Sequence, residues 1–257
     1  MAVRAKAASV TQRPAPASDA MRGACMALLL SACAAAHAQS EVIETTYSIS
    51  PSEKKVGAQY REDVEAARQA LMEGHDAAKA MELLQPALDF CQALRKPGLH
   101  LVSVSTAREY EEYLAGHAGN GPTEWVDSAC PMAFKLKGYF HAGAKQAPEA
   151  LEWLDRAIEL APYYADAQVE RGFVLGQSGR LKEALEAYRH ALNLAETHPG
   201  AVQSRPLALR GQGWVLTEMG DLDGAQRSYE ASLEIEPDNA LAKNELEYIA
   251  KLRGKRP

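Results

Sequence analysis

Aromatic side chains are scarce in this sequence, at 7 % of 257 residues, while alanine is abundant, a balance that suits closely packed helices better than sheets. Positive charge is scarce as well. The formal net charge is −6, yet residues 1–38 hold four basic residues (Arg4, Lys6, Arg13, Arg22) against one acid (Asp19), which leaves 24 basic and 33 acidic side chains in the remainder. So acidic a chain lacks the basic stripe that tracks phosphates, and this argues against nucleic acid as the main partner. No CxxC pair is present, and His75, His100, His117, His141, His190 and His198 show no metal-ligand spacing, so neither a metal nor a cofactor is expected. Cys130 and His141 fall in no recognisable nucleophile–base frame. The glycine-rich stretch Gly116–Pro122 follows a helix rather than a strand and lacks phosphate-loop order. An enzyme is not expected. The length accommodates one or two domains and a substantial core.

Long apolar runs are missing, with one exception. MRGACMALLLSACAAAHAQS (Met21–Ser40) has a basic start at Arg22, an apolar stretch Ala24–Ala36, and small residues in Ala36-His37-Ala38. That is the layout of a secretory signal peptide cleaved after Ala38. The apolar stretch falls short of the roughly 20 residues that span a bilayer, so no transmembrane span is expected. Met1–Ala20 reads as an extended leader, or Met21 is the true start. Within the same residues, Leu30-Ser31-Ala32-Cys33 resembles a bacterial lipobox, which would lipidate Cys33 and tether the protein to a membrane. The two readings, soluble periplasmic protein and Cys33-anchored lipoprotein, both remove the segment as an address. Both also leave Cys91 and Cys130 in the mature chain. An even pair in an oxidising compartment predicts a disulfide, and closing a loop of this size contributes about 4 kcal/mol on the chain-entropy account.

The second half of the chain repeats itself. Segments 131–164, 165–198 and 206–239 align, with Gly138, Gly172 and Gly213 in one column and Ala150, Ala184 and Ala225 in a second. Leu154, Tyr188 and Tyr229 form a third column, and Ala157, Ala191 and Ser232 a fourth. These columns resemble the tetratricopeptide repeat, with its small residue at position 8, Ala at 20, an aromatic or Leu at 24, Ala at 27 and Pro at 32. The resemblance implies an all-α fold, an α-solenoid of helix hairpins, in an exported bacterial protein. Independently, Ala150, Leu154, Ala157, Ile158 and Ala161 share one helical face, which a lone hairpin cannot bury, so the units must stack. The third column is expected to wedge into the following hairpin. Lys145-Gln146 replaces the usual turn glycine and predicts a looser turn. Seven extra residues around His198-Pro199-Gly200 predict a longer helix or a protruding loop. Asp238-Asn239 can cap a terminal helix at 240–253, with Leu241, Leu246, Ile249 and Leu252 inward and the basic tail Lys251, Arg253, Lys255 and Arg256 at its C-terminus.

Upstream, 39–58 reads as a flexible segment and 59–130 as a degenerate helical repeat plus an insert. Val64, Ala67 and Leu71 line one helix; Ala80, Leu84 and Ala87 line another, which Pro86 should kink. In the insert, 96–122, Leu99–Val104 is β-like in composition, and Thr106 could cap a helix over Ala107–Ala115. The resemblance also implies a concave groove lined by the first helix of each unit. Carried over by column, Tyr139, Phe173 and Trp214 point into it, flanked by Lys135, Val169 and Arg210. An aromatic row beside two cations suits an extended peptide or partner helix, with Lys135 and Arg210 taking a carboxylate. The function expected is non-catalytic protein or peptide binding in the bacterial envelope; the alternative is a subunit that associates with itself.

Overall fold

The computed structural model describes residues 55–117 and 121–254, all within one compact unit, Ser48–Pro257. The expected signal segment, Cys33, the two candidate starts and residues 39–54 lie outside the described residues, as do 118–120 and 255–257. Among the described residues are ten α-helices and two three-residue strands.

The first hairpin pairs α1 (Arg61–Met72) with α2 (Ala77–Ala93). Val64 and Ala67 of α1 and Ala80, Leu84 and Ala87 of α2 are buried, while Leu71 packs partly buried against them. Asp76 starts α2 by accepting from Lys79 N at 2.9 Å, the side-chain cap that satisfies an orphan amide. Pro86 lies inside α2, and the helix continues through it to Ala93. Three hairpins follow in the second half: α4 (Ala129–Gly143) with α5 (Ala147–Leu160), α6 (Ala165–Gln177) with α7 (Leu181–Thr197), and α8 (Arg205–Met219) with α9 (Leu222–Ile235). The terminal helix α10 (Ala240–Gly254) packs on α9.

The glycine column works by close approach. A Cβ on Gly138 would lie 2.7 Å from Leu154 Cγ, and one on Gly213 would lie 2.8 Å from the Tyr229 ring. The third column therefore covers the glycine of its own hairpin rather than wedging only into the next. Tyr188 does both: it lies over Gly172 in its own hairpin and over Gly211 in the next, where a Cβ would fall 2.2 Å from its ring.

The first turn is not looser than the others, as the missing glycine implied; it adopts the same backbone region. Gly179 and Gly220 take φ of +74° and +82°, and Lys145 takes the same left-handed region at +60°. A side chain there costs energy that glycine avoids.

Several expectations are corrected. Leu241 does not face inward but is exposed; Ala242 and Ile249 are the buried residues of α10, with Leu246 and Leu252 half-buried. Arg253 reaches across to Asp223 at the start of α9 (2.5 Å) rather than acting only at its own helix end. Residues 55–58, assigned above to the flexible segment, are pinned: Lys55 Nζ donates to Val104 O (2.5 Å), and Val56 bridges to Val126. The extra residues around His198 take the longer-helix alternative and do not protrude. They lengthen α7 to Thr197 and then form a 3-10 helix, Pro199–Ser204, with Ala201 and Ser204 buried.

The insert is a small βαβ unit. Strand β1 (His100–Val102) lies parallel to β2 (Thr123–Trp125), joined through α3 (Ala107–Gly116). Thr106 and Glu109 form a reciprocal capping box at the start of α3, the arrangement that satisfies two orphan amides at once. The insert also docks on the 3-10 segment. His198 Nε2 lies 2.7 Å from Glu112 Oε2, and its Nδ1 lies 2.8 Å from Thr197 Oγ1, which is also 2.7 Å from Asn193 O. The two departures from the repeat pattern thus touch each other. Cys91 of α2 and Cys130 of α4 form a disulfide with Cα atoms 5.6 Å apart.

Candidate functional site

Helices α4, α6 and α8 present one face to a groove of about 400 Å³. Five of the six residues placed there by column line it: Tyr139, Val169, Phe173, Arg210 and Trp214. Lys135 does not. Phe173 is 40 % exposed, Tyr139 and Trp214 are half-buried, and Val169 is buried. The Phe173 and Trp214 rings lie 6.0 Å apart, tilted by 45°. Trp214 also rests on Gly176 of α6, where a Cβ would come within 2.5 Å of its ring. The indole is therefore part packing and part groove surface.

The two cations are already engaged. Arg210 is ion-paired with Glu236, and Lys135 Nζ sits 3.3 Å from Asp166 Oδ2 and 5.3 Å from the centre of the Tyr164 ring. Their side chains are only 14 % and 12 % exposed. Burial works against the Lys135 charge, but Tyr164, Asp166 and Glu170 outweigh it and hold its pKa up. Each cation would therefore have to leave an internal pair before taking a partner's carboxylate.

Residues outside the columns complete the groove. Leu207 and Leu241, 53 % and 56 % exposed, stand beside Glu170, Tyr188, Tyr229 and Glu245. Leu241 comes from the terminal helix, so the cap contributes to the site as well as closing the array. Burial pushes the Glu170 carboxyl above its ordinary range; Lys135 opposes that shift and Asp166 adds to it. The Tyr188 and Tyr229 hydroxyls are also pushed up, first by burial. The Tyr229 hydroxyl is buried without a hydrogen-bond partner of standard geometry. Thr217, which acts on it from nearby, donates its own proton to Gly213 O (2.9 Å).

Other candidates from the sequence resolve differently. His141 Nδ1 meets Gln146 Oε1 at 2.7 Å, while Cys130 is tied to Cys91. Among the described residues no three His, Cys, Asp or Glu side chains gather as a metal site. Nor is any described helix long and apolar enough to cross a membrane.

Residues 163–237 match the family model described as tetratricopeptide repeat. A TPR repeat-containing protein of Rhizobium etli is 30 % identical over 136 residues, which cover 52 % of this chain and 63 % of that protein. Protein bimA of Emericella nidulans is 28 % identical over 116 residues, 45 % of this chain and 14 % of its own length. The chain thus spans less than two thirds of these curated relatives. Among solved structures, the nearly identical TPR-like repeats of a Podosopora anserina protein superpose with a TM-score of 0.51 at 15 % identity, covering 79 % of this chain and 90 % of that one. At that identity the likeness is one of fold. The architecture is an α-solenoid of tetratricopeptide helix hairpins with a terminal helix.

Proposed function

We propose that this protein is a non-catalytic scaffold that binds a protein or peptide segment in the groove of α4, α6 and α8, within a bacterial envelope. The observation that carries the reading is the convergence of Tyr139, Phe173 and Trp214 with exposed Leu207 and Leu241 along one concave strip. Soluble proteins leave such apolar strips open chiefly where something binds. The Cys91–Cys130 bridge supports the exported reading, because bridges persist in oxidising compartments. One measurement separates the alternatives at the N-terminus: the intact mass of the purified mature chain distinguishes cleavage after Ala38 from a lipid on Cys33.

A photo-crosslinking residue at Phe173 tests the groove against one at exposed Val202, outside it, in the same cells. Specific adducts from position 173 and none from 202 are expected; the reverse result would sink the groove. A second reading, self-association through the array's end, draws on exposed Ile235, Leu241 and Tyr248. Light scattering decides it, since a mass that stays monomeric across concentrations removes it.

A further inference from the structure

We infer that the groove selects a cationic, apolar segment, one that brings lysine or arginine beside a leucine or aromatic anchor; this rests on the groove-binding reading above. The first support is charge complementarity. Lys135 and Arg210 near the groove face four carboxylates, Asp166, Glu170, Glu236 and Glu245. The two cations are spent on Asp166 and Glu236, so Glu170 and Glu245 remain as groove-lining carboxylates with no ion pair of their own. An incoming acid would meet net negative charge and would have to displace an internal pair. An incoming base would meet unpaired carboxylates flanked by apolar surface, where like-charge juxtaposition is costly and complementary charge sets specificity.

The second support is independent of charge. The Tyr229 hydroxyl is fully buried beneath the groove lining, with Thr217 nearby but no hydrogen-bond partner of standard geometry. A buried donor without a well-placed acceptor costs stability in the free protein, and a ligand that shifts the lining over Tyr229 would reach it with an acceptor such as a main-chain carbonyl. Acidity should act on the same site. Because burial holds the Glu170 carboxyl above its ordinary range, mild acidification discharges it before exposed carboxylates. Lys135, Tyr164, Asp166 and Tyr188 face it from neighbouring positions, and of these Lys135 favours its charged form. Binding of a base should therefore weaken as pH falls.

The test is selection of a displayed library of random segments of about twelve residues on the full mature protein, followed by anisotropy titration of the enriched peptides. Enriched sequences should combine Lys or Arg with Leu, Phe or Trp. Glu170→Gln and Glu245→Gln should each weaken them by about 3- to 10-fold, whereas Glu234→Gln, exposed and outside the groove, should not. Tyr229→Phe should weaken binding while raising the free protein's melting temperature, a pairing that a purely structural tyrosine would not give. Enrichment of acidic segments sensitive to Phe173→Ala would overturn the charge assignment and leave the groove standing. Equal weakening by Glu234→Gln would mark non-specific attraction and overturn it too. No enrichment, or enrichment indifferent to Phe173→Ala, would overturn both readings.

Discussion

The stretch from α6 to α10 and the stretch from Lys55 to Ser128 achieve order by different means. In the former, each hairpin repeats the same small-on-large contact, Gly172 under Tyr188 and Gly213 under Tyr229, and one continuous core joins Tyr188, Ala208, Val215, Tyr229 and Ile249. Neighbours of similar shape are enough. In the latter, the α1–α2 hairpin is followed not by another repeat but by the βαβ insert, and order depends on particular contacts between distant residues. The Cys91–Cys130 bridge, the Val56–Val126 pairing and Arg61 donating to buried Asp127 are each made once. Repetition makes one half tolerant of local change, and reliance on single contacts makes the other half brittle.

Removing the disulfide with Cys91→Ala and Cys130→Ala should break the contrast most visibly. A loop of 39 residues predicts a loss of about 4 kcal/mol on the chain-entropy account. In hydrogen exchange the loss should fall on α1, α2 and the insert, while α6–α9 keep their protection; uniform loss would erase the distinction. Gly211→Ala strikes the regular half where it is least tolerant. Alanine gains about 1 kcal/mol of helix propensity, but its Cβ would enter the buried Tyr188 ring, an overpacking cost of roughly 1–3 kcal/mol or more. A net destabilisation of about 2 kcal/mol in urea melts is expected, and a neutral result would show the ring can shift. Lys145→Gly should go the other way. It gives the first turn the residue that Gly179 and Gly220 supply elsewhere, for a gain of about 1 kcal/mol. The smallest effect belongs to Glu112→Gln, which weakens the His198 contact. Faster exchange should appear in α3 and residues 199–204 together with little change in melting temperature; a change in α3 alone would show that the two insertions are not coupled.

How much of this was legible differs between the same regions. The glycine and Leu/Tyr columns recur at a fixed period, so their hairpins could be read without any distant contact. The groove aromatics Tyr139, Phe173 and Trp214 were legible for the same reason. Leu207 lies three residues before Arg210 and so shares its helical face, a position that the two columns carried over did not include. Glu170 and Leu241 were not legible, because neither falls in a repeating groove column and Leu241 lies on a helix whose inward face is set by Ala242 and Ile249. The engagement of Lys135 and Arg210 was hidden because their partners, Asp166 and Glu236, lie 31 and 26 residues on. In the insert, Thr106 announced α3 by its cap, but β1 and β2 are three residues each and pair in parallel across a helix. Strands that short carry no readable alternation. Nothing in composition indicates that Glu112 should meet His198.

The pairing of Val56 with Val126 also orders events in time. Val56 precedes the partner that fixes it by about seventy residues, whereas each helix of the later hairpins meets its mate after a short turn. Non-local pairings are closed late because their loop entropy must be overcome first. The first described residues of the chain are therefore expected to be among the last placed on folding.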